Sequence, residues 1–167
     1  GFMLSSLIIG IERGWITREE GYRRALTTLR SFKEIENFHG FTYHYFSKHT
    51  GTRMWSSEVS CIDMGLFLAG VITIGEYFKG MEIERLADEI FKRVDWQWFL
   101  DGENVLQMAW KPEGLFYGRI DTFSEGEDNP RMSISLATHR TFQDTSRLSF
   151  CYLCGQSFGP FDDTNRD

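Results

Sequence analysis

The chain has 167 residues, of which 41% are hydrophobic and 25% are charged, which is typical of a globular domain rather than a disordered segment. Its net charge of −6 argues against a nucleic-acid or anionic-membrane partner, because no basic face dominates. The longest apolar run, from Met64 to Ile74, is about half the length that a membrane span needs. Aromatic residues reach 16%, an excess that serves either core packing or the stacking of ligands.

The first two predicted helices lie within the first thirty residues. Phe2 to Ile11 is apolar almost throughout and is followed by Gly14, which indicates a buried helix. Thr17 and Glu20 fit a capping box, which predicts the start of a second helix. The apolar stripe of this helix consists of Tyr22, Ala25, Leu26 and Leu29.

Two further helices are predicted in the middle of the chain. The third covers about residues 57–78, and because it is apolar on nearly every side between Ile62 and Ile74, we expect it to be buried all round. The fourth shows the i, i+3, i+4, i+7 spacing of an amphipathic helix. Its apolar positions are Ile83, Leu86, Ala87, Ile90, Phe91 and Val94.

Short β-structure is predicted between the helices. Phe41 to Phe46 is rich in β-forming aromatics, which indicates a hairpin or an ordered loop. Asp95–Trp98 and Leu106–Trp110 flank a turn with Gly102, which suggests a second hairpin. From Gly126 onward the chain is polar and shows no helical period. The sequence therefore predicts a helical region over 1–125 and a divergent, poorly ordered tail over 126–167.

Glu58 and Asp63 are carboxylates in apolar or aromatic surroundings. Glu58 is expected at the first turn of the third helix, where the helix dipole favours its ionised form. Asp63 lies in an apolar run, where a carboxylate needs a partner or a function. Five residues turn a helix by about 500°, so the two acids converge only if Glu58 lies in the cap. A helix-start charge is the structural alternative for Glu58.

Asp121 and Glu125 form a second acidic pair. A spacing of four residues places them on one face if a helix begins there. Thr122–Glu125 also matches a capping box, which would give Glu125 a structural role instead. Two carboxylates across a cleft are what glycoside hydrolysis requires, but spacing alone does not select this chemistry.

No metal or cofactor is expected. The four histidines show no metal-binding spacing with acids or cysteines. Cys151 and Cys154 form a lone C-x-x-C motif without the second pair of a structural zinc site, and the three cysteines suggest no disulfide framework. No phosphate-binding glycine loop and no nucleophile elbow is present.

Five sequence blocks follow one another along the chain: Ile11–Glu20, Gly40–Tyr45, Trp55–Asp63, Arg93–Trp98 and Met108–Glu113. In this order they resemble the glucoamylase-like domains of bacterial β-1,2-glucanases and of relatives attached to cyclic β-glucan synthases. The resemblance covers roughly residues 1–125. It implies an (α/α)6 toroid with acids and aromatics at one end of the ring, and it implies hydrolysis of a β-linked glucan.

The resemblance also implies site residues. Glu58 and Asp63 match the acids that open the family's long buried helix, and Asp121 and Glu125 match its later aromatic-and-acid stretch. Glu125 or Asp63 is expected to be the proton donor. The expected substrate-binding residues are Trp55, Tyr43, Trp110, Trp98 and Arg119, and Trp96 and Trp98 could equally belong to the core.

The chain departs from the family after Glu125, where a strongly apolar helix is replaced by Glu127–Pro130. A complete toroid also needs about twelve helices, so we expect an incomplete ring with inefficient catalysis. The alternatives are a non-catalytic glucan-binding or assembly segment and a helical domain without a ligand. Self-association through an exposed apolar face is a further expectation. The resemblance alone implies a periplasmic or secreted protein, and no signal peptide is recognisable in the chain.

Overall fold

The computed structural model describes residues 1–103 and 105–120 of the chain. This part is mainly helical, with four α-helices and two small antiparallel sheets, so the predicted class of helices with short β-structure between them is confirmed. Three elements of the sequence prediction lie outside the described residues. These are the acids Asp121 and Glu125, the C-x-x-C motif of Cys151 and Cys154, and the tail over 126–167.

Helices α1 (Phe2–Glu12) and α2 (Arg18–Lys33) form where the sequence predicts them. Gly14 lies in the connection with φ +68°, a left-handed conformation that glycine adopts at little cost. The Thr17 hydroxyl then accepts a 3.1 Å hydrogen bond from the Glu20 amide, which satisfies one of the orphan donors at the start of α2. The predicted cap is therefore confirmed on its Thr17 side.

Helix α3 (Cys61–Tyr77) begins four residues later than predicted. Val59 and Ser60 form strand β3 (Val59–Ser60), which pairs with a distant strand and therefore cannot be helical. The Ser60 hydroxyl caps the helix by accepting a 3.2 Å hydrogen bond from the Asp63 amide. Helix α4 (Glu82–Arg93) matches its predicted amphipathic pattern and turns its apolar face inward.

The first sheet is a short hairpin of β1 (Asn37–Phe38) and β2 (Phe41–Thr42). The second sheet has the order β3–β4–β5, with β4 at Gln107–Lys111 and β5 at Leu115–Arg119. The hairpin predicted across Gly102 is confirmed only as a single antiparallel bridge between Leu100 and Leu106, and its flanking segments do not pair as strands. Trp96–Phe99 forms a 3₁₀ turn, and β4 pairs with β5 through a tight turn that ends at Gly114.

Helix α3 packs against both α1 and α4, and its Leu68, Val71 and Ile74 side chains are fully buried. Helices α1 and α3 run parallel. Gly1 lies against the backbone of α3 at Leu66, and the Tyr77 hydroxyl donates a hydrogen bond to Glu12 at the other end.

The expectation that α3 is buried all round is wrong for the described part of the chain. Leu66 is 46% exposed on its outer side. On α1, Phe2 and Ile9 are also exposed, and their spacing of seven residues places them on one side of that helix. We refer to Phe2, Met3, Ile9 and Leu66 as the apolar surface. Among the described helices, none is long and apolar enough to span a membrane.

Candidate active site

Backbone pairing brings two distant segments together in front of α3. Tyr43 and Val59 form an antiparallel bridge, and the His44 amide donates a 2.7 Å hydrogen bond to the Glu58 carbonyl. The aromatic segment after β2 therefore lies beside the residues that lead into β3 and α3. This pairing aligns the side chain of His44 with that of Glu58.

His44 lies between the two acids that the sequence singled out. Its Nδ1 atom is 2.9 Å from Glu58 Oε1, and its Nε2 atom is 3.8 Å from Asp63 Oδ2. The two carboxylates thus approach different nitrogens of one imidazole. Convergence is achieved because Glu58 precedes the helix by three residues while Asp63 lies in its first turn. The sequence analysis expected convergence with Glu58 in the cap, whereas the capping residue is Ser60 and Glu58 lies two residues before it.

The environment of Glu58 favours its ionised form. The hydrogen bond from the His44 imidazole holds the pKa of Glu58 below its ordinary value, and burial opposes this shift. The positive charge of Lys111 lowers this pKa further. The Glu58 side chain is 25% exposed and that of Asp63 is 51% exposed, so both remain reachable from solvent.

Sheet β3–β4–β5 contributes two more side chains near Glu58. Lys111 and Tyr117 lie on one face of the hairpin, with the Lys111 Nζ atom 6.0 Å from the centre of the Tyr117 ring. Burial raises the pKa of the Tyr117 phenol, and the negative charge of Glu58 raises it further. The acid pair is therefore bordered by a cation and a phenol.

Cys61, the first residue of α3, connects the helix to the sheet. Its thiol donates a 3.0 Å hydrogen bond to the Gln107 carbonyl of β4. Burial raises the pKa of Cys61 to about 12, so the thiol stays protonated and is not a candidate nucleophile.

The predicted substrate-binding aromatics occupy different environments. Trp55 is 78% exposed, whereas Tyr43 is buried with the Arg53 guanidinium over its ring. Trp98 and Trp110 are half-buried and contact each other edge to face at 5.2 Å. Both belong to an aromatic cluster behind the sheet, and Trp96 is buried as well, which agrees with the core alternative for Trp96 and Trp98.

Arg119, the fifth predicted substrate-binding residue, lies at the end of β5. Its Nε atom is 3.0 Å from Asp101 Oδ2, and its Nη2 atom donates a 2.7 Å hydrogen bond to Glu103. These ion pairs connect the end of β5 to the loop before β4. Within residues 1–103 and 105–120, no group of three or more potential metal ligands comes together.

The sequence analysis missed His44 as a site residue because it tested the histidines only for metal spacing. The available signal was the position of His44 inside an aromatic β-forming segment, next to Tyr43 and Tyr45. What makes His44 important is its contact with acids 14 and 19 residues later, and no local pattern encodes such a contact.

Comparison with known proteins finds similar sequences and similar folds. No family profile matches the chain. Over 125 residues it is 28% identical to an exo β-1,2-glucooligosaccharide sophorohydrolase of Parabacteroides distasonis, a match that covers 68% of this chain and 17% of that protein. The fold is similar to an endo-β-1,2-glucanase from Chitinophaga pinensis in complex with sophorotriose and glucose, with a TM-score of 0.61 and 29% identity over 67% of this chain and 29% of that one.

A proposed glucoamylase from Bacteroides fragilis has a similar fold, with a TM-score of 0.58 and 27% identity over 67% of this chain and 29% of that one. The chain spans less than a third of the length of each of these three relatives. Sequence and fold together confirm the resemblance stated above: the chain is similar to part of a β-1,2-glucan hydrolase and of glucoamylase-like proteins.

Proposed function

We propose that the chain is part of a hydrolase that cleaves a β-linked glucan, with β-1,2-glucan as the favoured substrate. The observation that supports this most strongly is the approach of Glu58 and Asp63 to one imidazole on a solvent-accessible face. Glycoside hydrolysis uses paired carboxylates, one as proton donor and one as base or nucleophile. Two of the similar proteins are described as acting on β-1,2-linked glucans or glucooligosaccharides, which supports the choice of linkage.

The different environments of the acids suggest different roles. Glu58 is held ionised by His44 and therefore suits a base, a nucleophile or an electrostatic stabiliser. Asp63 is more exposed and has only the longer contact to His44, which leaves it as a candidate proton donor. Glu125 is the other candidate donor, and Asp121 is the fourth proposed catalytic residue.

The proposal includes an (α/α)6 toroid for the intact protein, of which this chain supplies one portion. A site that needs the full ring would be incomplete in this portion alone, so we expect inefficient catalysis by the 167-residue chain. Polymeric glucans are encountered outside the cytoplasm, and the same proposal therefore places the protein in the periplasm or outside the cell.

The test is the release of reducing ends from linear β-1,2-glucan by the 167-residue chain, measured beside glucan binding. Asp63→Asn and Glu125→Gln should each abolish release and leave binding almost unchanged, because the amides keep the shape of the side chain and remove its proton chemistry. Glu19→Gln, in the first turn of α2, is the matched control and should leave both unchanged. Equal losses of release and binding in Asp63→Asn would contradict a catalytic role.

The second candidate function is a non-catalytic glucan-binding or assembly segment. The exposed ring of Trp55 favours it, since an aromatic face in solvent binds a sugar without any acid chemistry. Binding of the glucan without release, by a chain with a native circular dichroism spectrum, would select this function.

A further inference from the structure

Two exposed aromatic side chains lie together beside the acid pair. Trp55 is 78% exposed and Tyr45 is 49% exposed, and their ring centres are 5.5 Å apart with an interplanar angle of 59°. Large aromatic rings usually gain stability by leaving water, so two neighbouring rings at the surface indicate a binding surface.

The backbone around these rings is held firmly. Ser57 is buried, and its hydroxyl donates a 2.9 Å hydrogen bond to the Tyr45 carbonyl while its oxygen accepts from the Tyr45 amide. The Met54 amide also donates to the Tyr45 carbonyl at 3.0 Å. Arg53 completes the arrangement, because its Nε atom donates a 2.7 Å hydrogen bond to the Ser57 carbonyl. The two rings are therefore displayed by an ordered turn.

The same turn contains local backbone strain. Trp55 and Ser56 both have φ of +52°, a left-handed conformation that is unfavourable for residues with a Cβ atom. Two such residues in succession, neither of them glycine, persist only when surrounding contacts impose the conformation. Here the strained turn places a tryptophan in solvent instead of burying it, which favours a function for the exposed ring.

Tyr45 connects the exposed rings to the acids. Its ring stacks on the His44 imidazole with ring centres 4.2 Å apart and an interplanar angle of 12°. His44 in turn contacts Glu58 and Asp63. A ligand resting on Tyr45 and Trp55 would therefore have carboxylate acceptors within reach of its hydroxyl groups.

We propose that Tyr45 and Trp55 form a sugar-binding platform, on which one pyranose ring of the glucan stacks while its hydroxyls face the Glu58–His44–Asp63 cluster. A pyranose presents a C–H face that suits an aromatic ring and hydroxyl donors that suit carboxylates. The inference rests on the proposed function for the class of ligand. Tyr45, in particular, becomes a specificity residue because it touches both the sugar and the imidazole.

The experiment measures the affinity of the full chain for sophorotriose by isothermal titration calorimetry. Trp55→Ala and Tyr45→Ala should each weaken binding about fivefold or more, the effect expected for the loss of one ring contact. Trp55→Phe should retain most of the affinity, since it keeps a flat aromatic face.

Trp15→Ala provides a matched control. Trp15 is 74% exposed and lies just after α1, whose last residue Glu12 accepts a hydrogen bond from Tyr77. Tyr77 lies about 20 Å along α3 from Asp63, so Trp15 is far from the acid pair. Its removal should leave the affinity unchanged. Absence of sophorotriose binding by the unsubstituted chain, or equal losses in Trp15→Ala and Trp55→Ala, would overturn the platform.

The readouts separate this inference from the proposed function. If the hydrolase proposal fails and the platform is correct, sophorotriose binds and depends on Trp55, but no reducing ends are released. If the platform is wrong and the hydrolase proposal is correct, release occurs and depends on Asp63, and Trp55→Ala does not weaken binding.

Discussion

At the scale of single residues, the central contact is the 2.9 Å approach of His44 Nδ1 to Glu58 Oε1. A carboxylate that accepts a hydrogen bond from imidazole is stabilised in its ionised form. The pKa of Glu58 is accordingly depressed in the folded chain. The stability that this interaction contributes is present above the ordinary glutamate pKa and is lost as the pH falls through the lower folded pKa.

Replacing His44 by Gln should therefore raise the pKa of Glu58 toward its ordinary value. Carboxyl ¹³C chemical shifts followed by NMR through a pH titration measure this directly. Glu113 is the internal control, because its pKa of about 2 depends on a bidentate ion pair with Arg53 and should not change. A Glu58 titration curve that does not move in His44→Gln would show that the imidazole does not set the charge of this acid.

Of the three residues in this cluster, the two acids were predictable from the sequence and His44 was not. Glu58 and Asp63 were predicted because carboxylates in apolar surroundings need a partner or a purpose. Their partner was missed because His44 is brought to them by strand pairing between residues 43–44 and 58–59, which is a nonlocal contact. Trp55 was predicted as a binding residue, but the exposed partner ring of Tyr45 was not.

At the scale of elements, the β1–β2 hairpin depends on Gly40. This residue has φ of +86°, and a Cβ atom at its position would lie 2.4 Å from the Arg93 carbonyl oxygen at the end of α4. The Asp95 amide donates to the His39 carbonyl beside it at 2.9 Å. The hairpin therefore fits closely against the end of α4, and only a residue without a side chain allows this approach.

Gly40→Ala should lower the free energy of unfolding by about 3 kcal/mol or more, because it adds a backbone clash to the cost of a left-handed alanine. Gly14→Ala is the matched variant. Gly14 has φ of +68°, but a Cβ atom added there would meet no atom within 4 Å, so only about 1 kcal/mol should be lost. Urea unfolding followed by circular dichroism measures both, and equal losses would exclude the close approach as the cause.

The elements themselves were predictable to different degrees. Helices α1, α2 and α4 follow from local apolar periodicity and capping signals, and the structure confirms them. The start of α3 and the pairing of β4 with β5 were not predicted correctly. The start of α3 depends on the β3–β4 ladder, which joins residues about fifty positions apart and leaves no local signal in the sequence. The β4–β5 hairpin does have a local signal in its turn Pro112–Gly114, which the sequence analysis did not use.

At the scale of the whole described part, the main feature is that the apolar surface of Phe2, Met3, Ile9 and Leu66 is exposed to solvent. Phe2 is 79% exposed and Ile9 is 54% exposed on α1, and Leu66 is 46% exposed on α3, the helix that packs against α1. Contiguous exposed apolar residues favour association, because burying them removes apolar area from water. A full ring of helices, as proposed for the intact protein, would cover such a surface.

The 167-residue chain should therefore associate with itself as its concentration rises. Ile9→Gln combined with Leu66→Gln should shift the equilibrium toward the monomer, as measured by sedimentation velocity over a series of concentrations. Leu115→Gln, which changes a leucine that is 69% exposed at the β4–β5 turn, should have no such effect. A chain that stays monomeric at every concentration would contradict the prediction.

The buried thiol of Cys61, at the start of α3, can report on local opening of the site. Cys61 is fully buried and protonated, with its proton directed to the Gln107 carbonyl of β4. Alkylating reagents attack the thiolate, so Cys61 stays inert while strand β4 rests on the helix. Modification of Cys61 requires β4 to separate from α3. The alkylation rate of Cys61 itself, measured separately from that of Cys151 and Cys154, therefore reports how often the junction between β4 and α3 beside Glu58 and Asp63 opens.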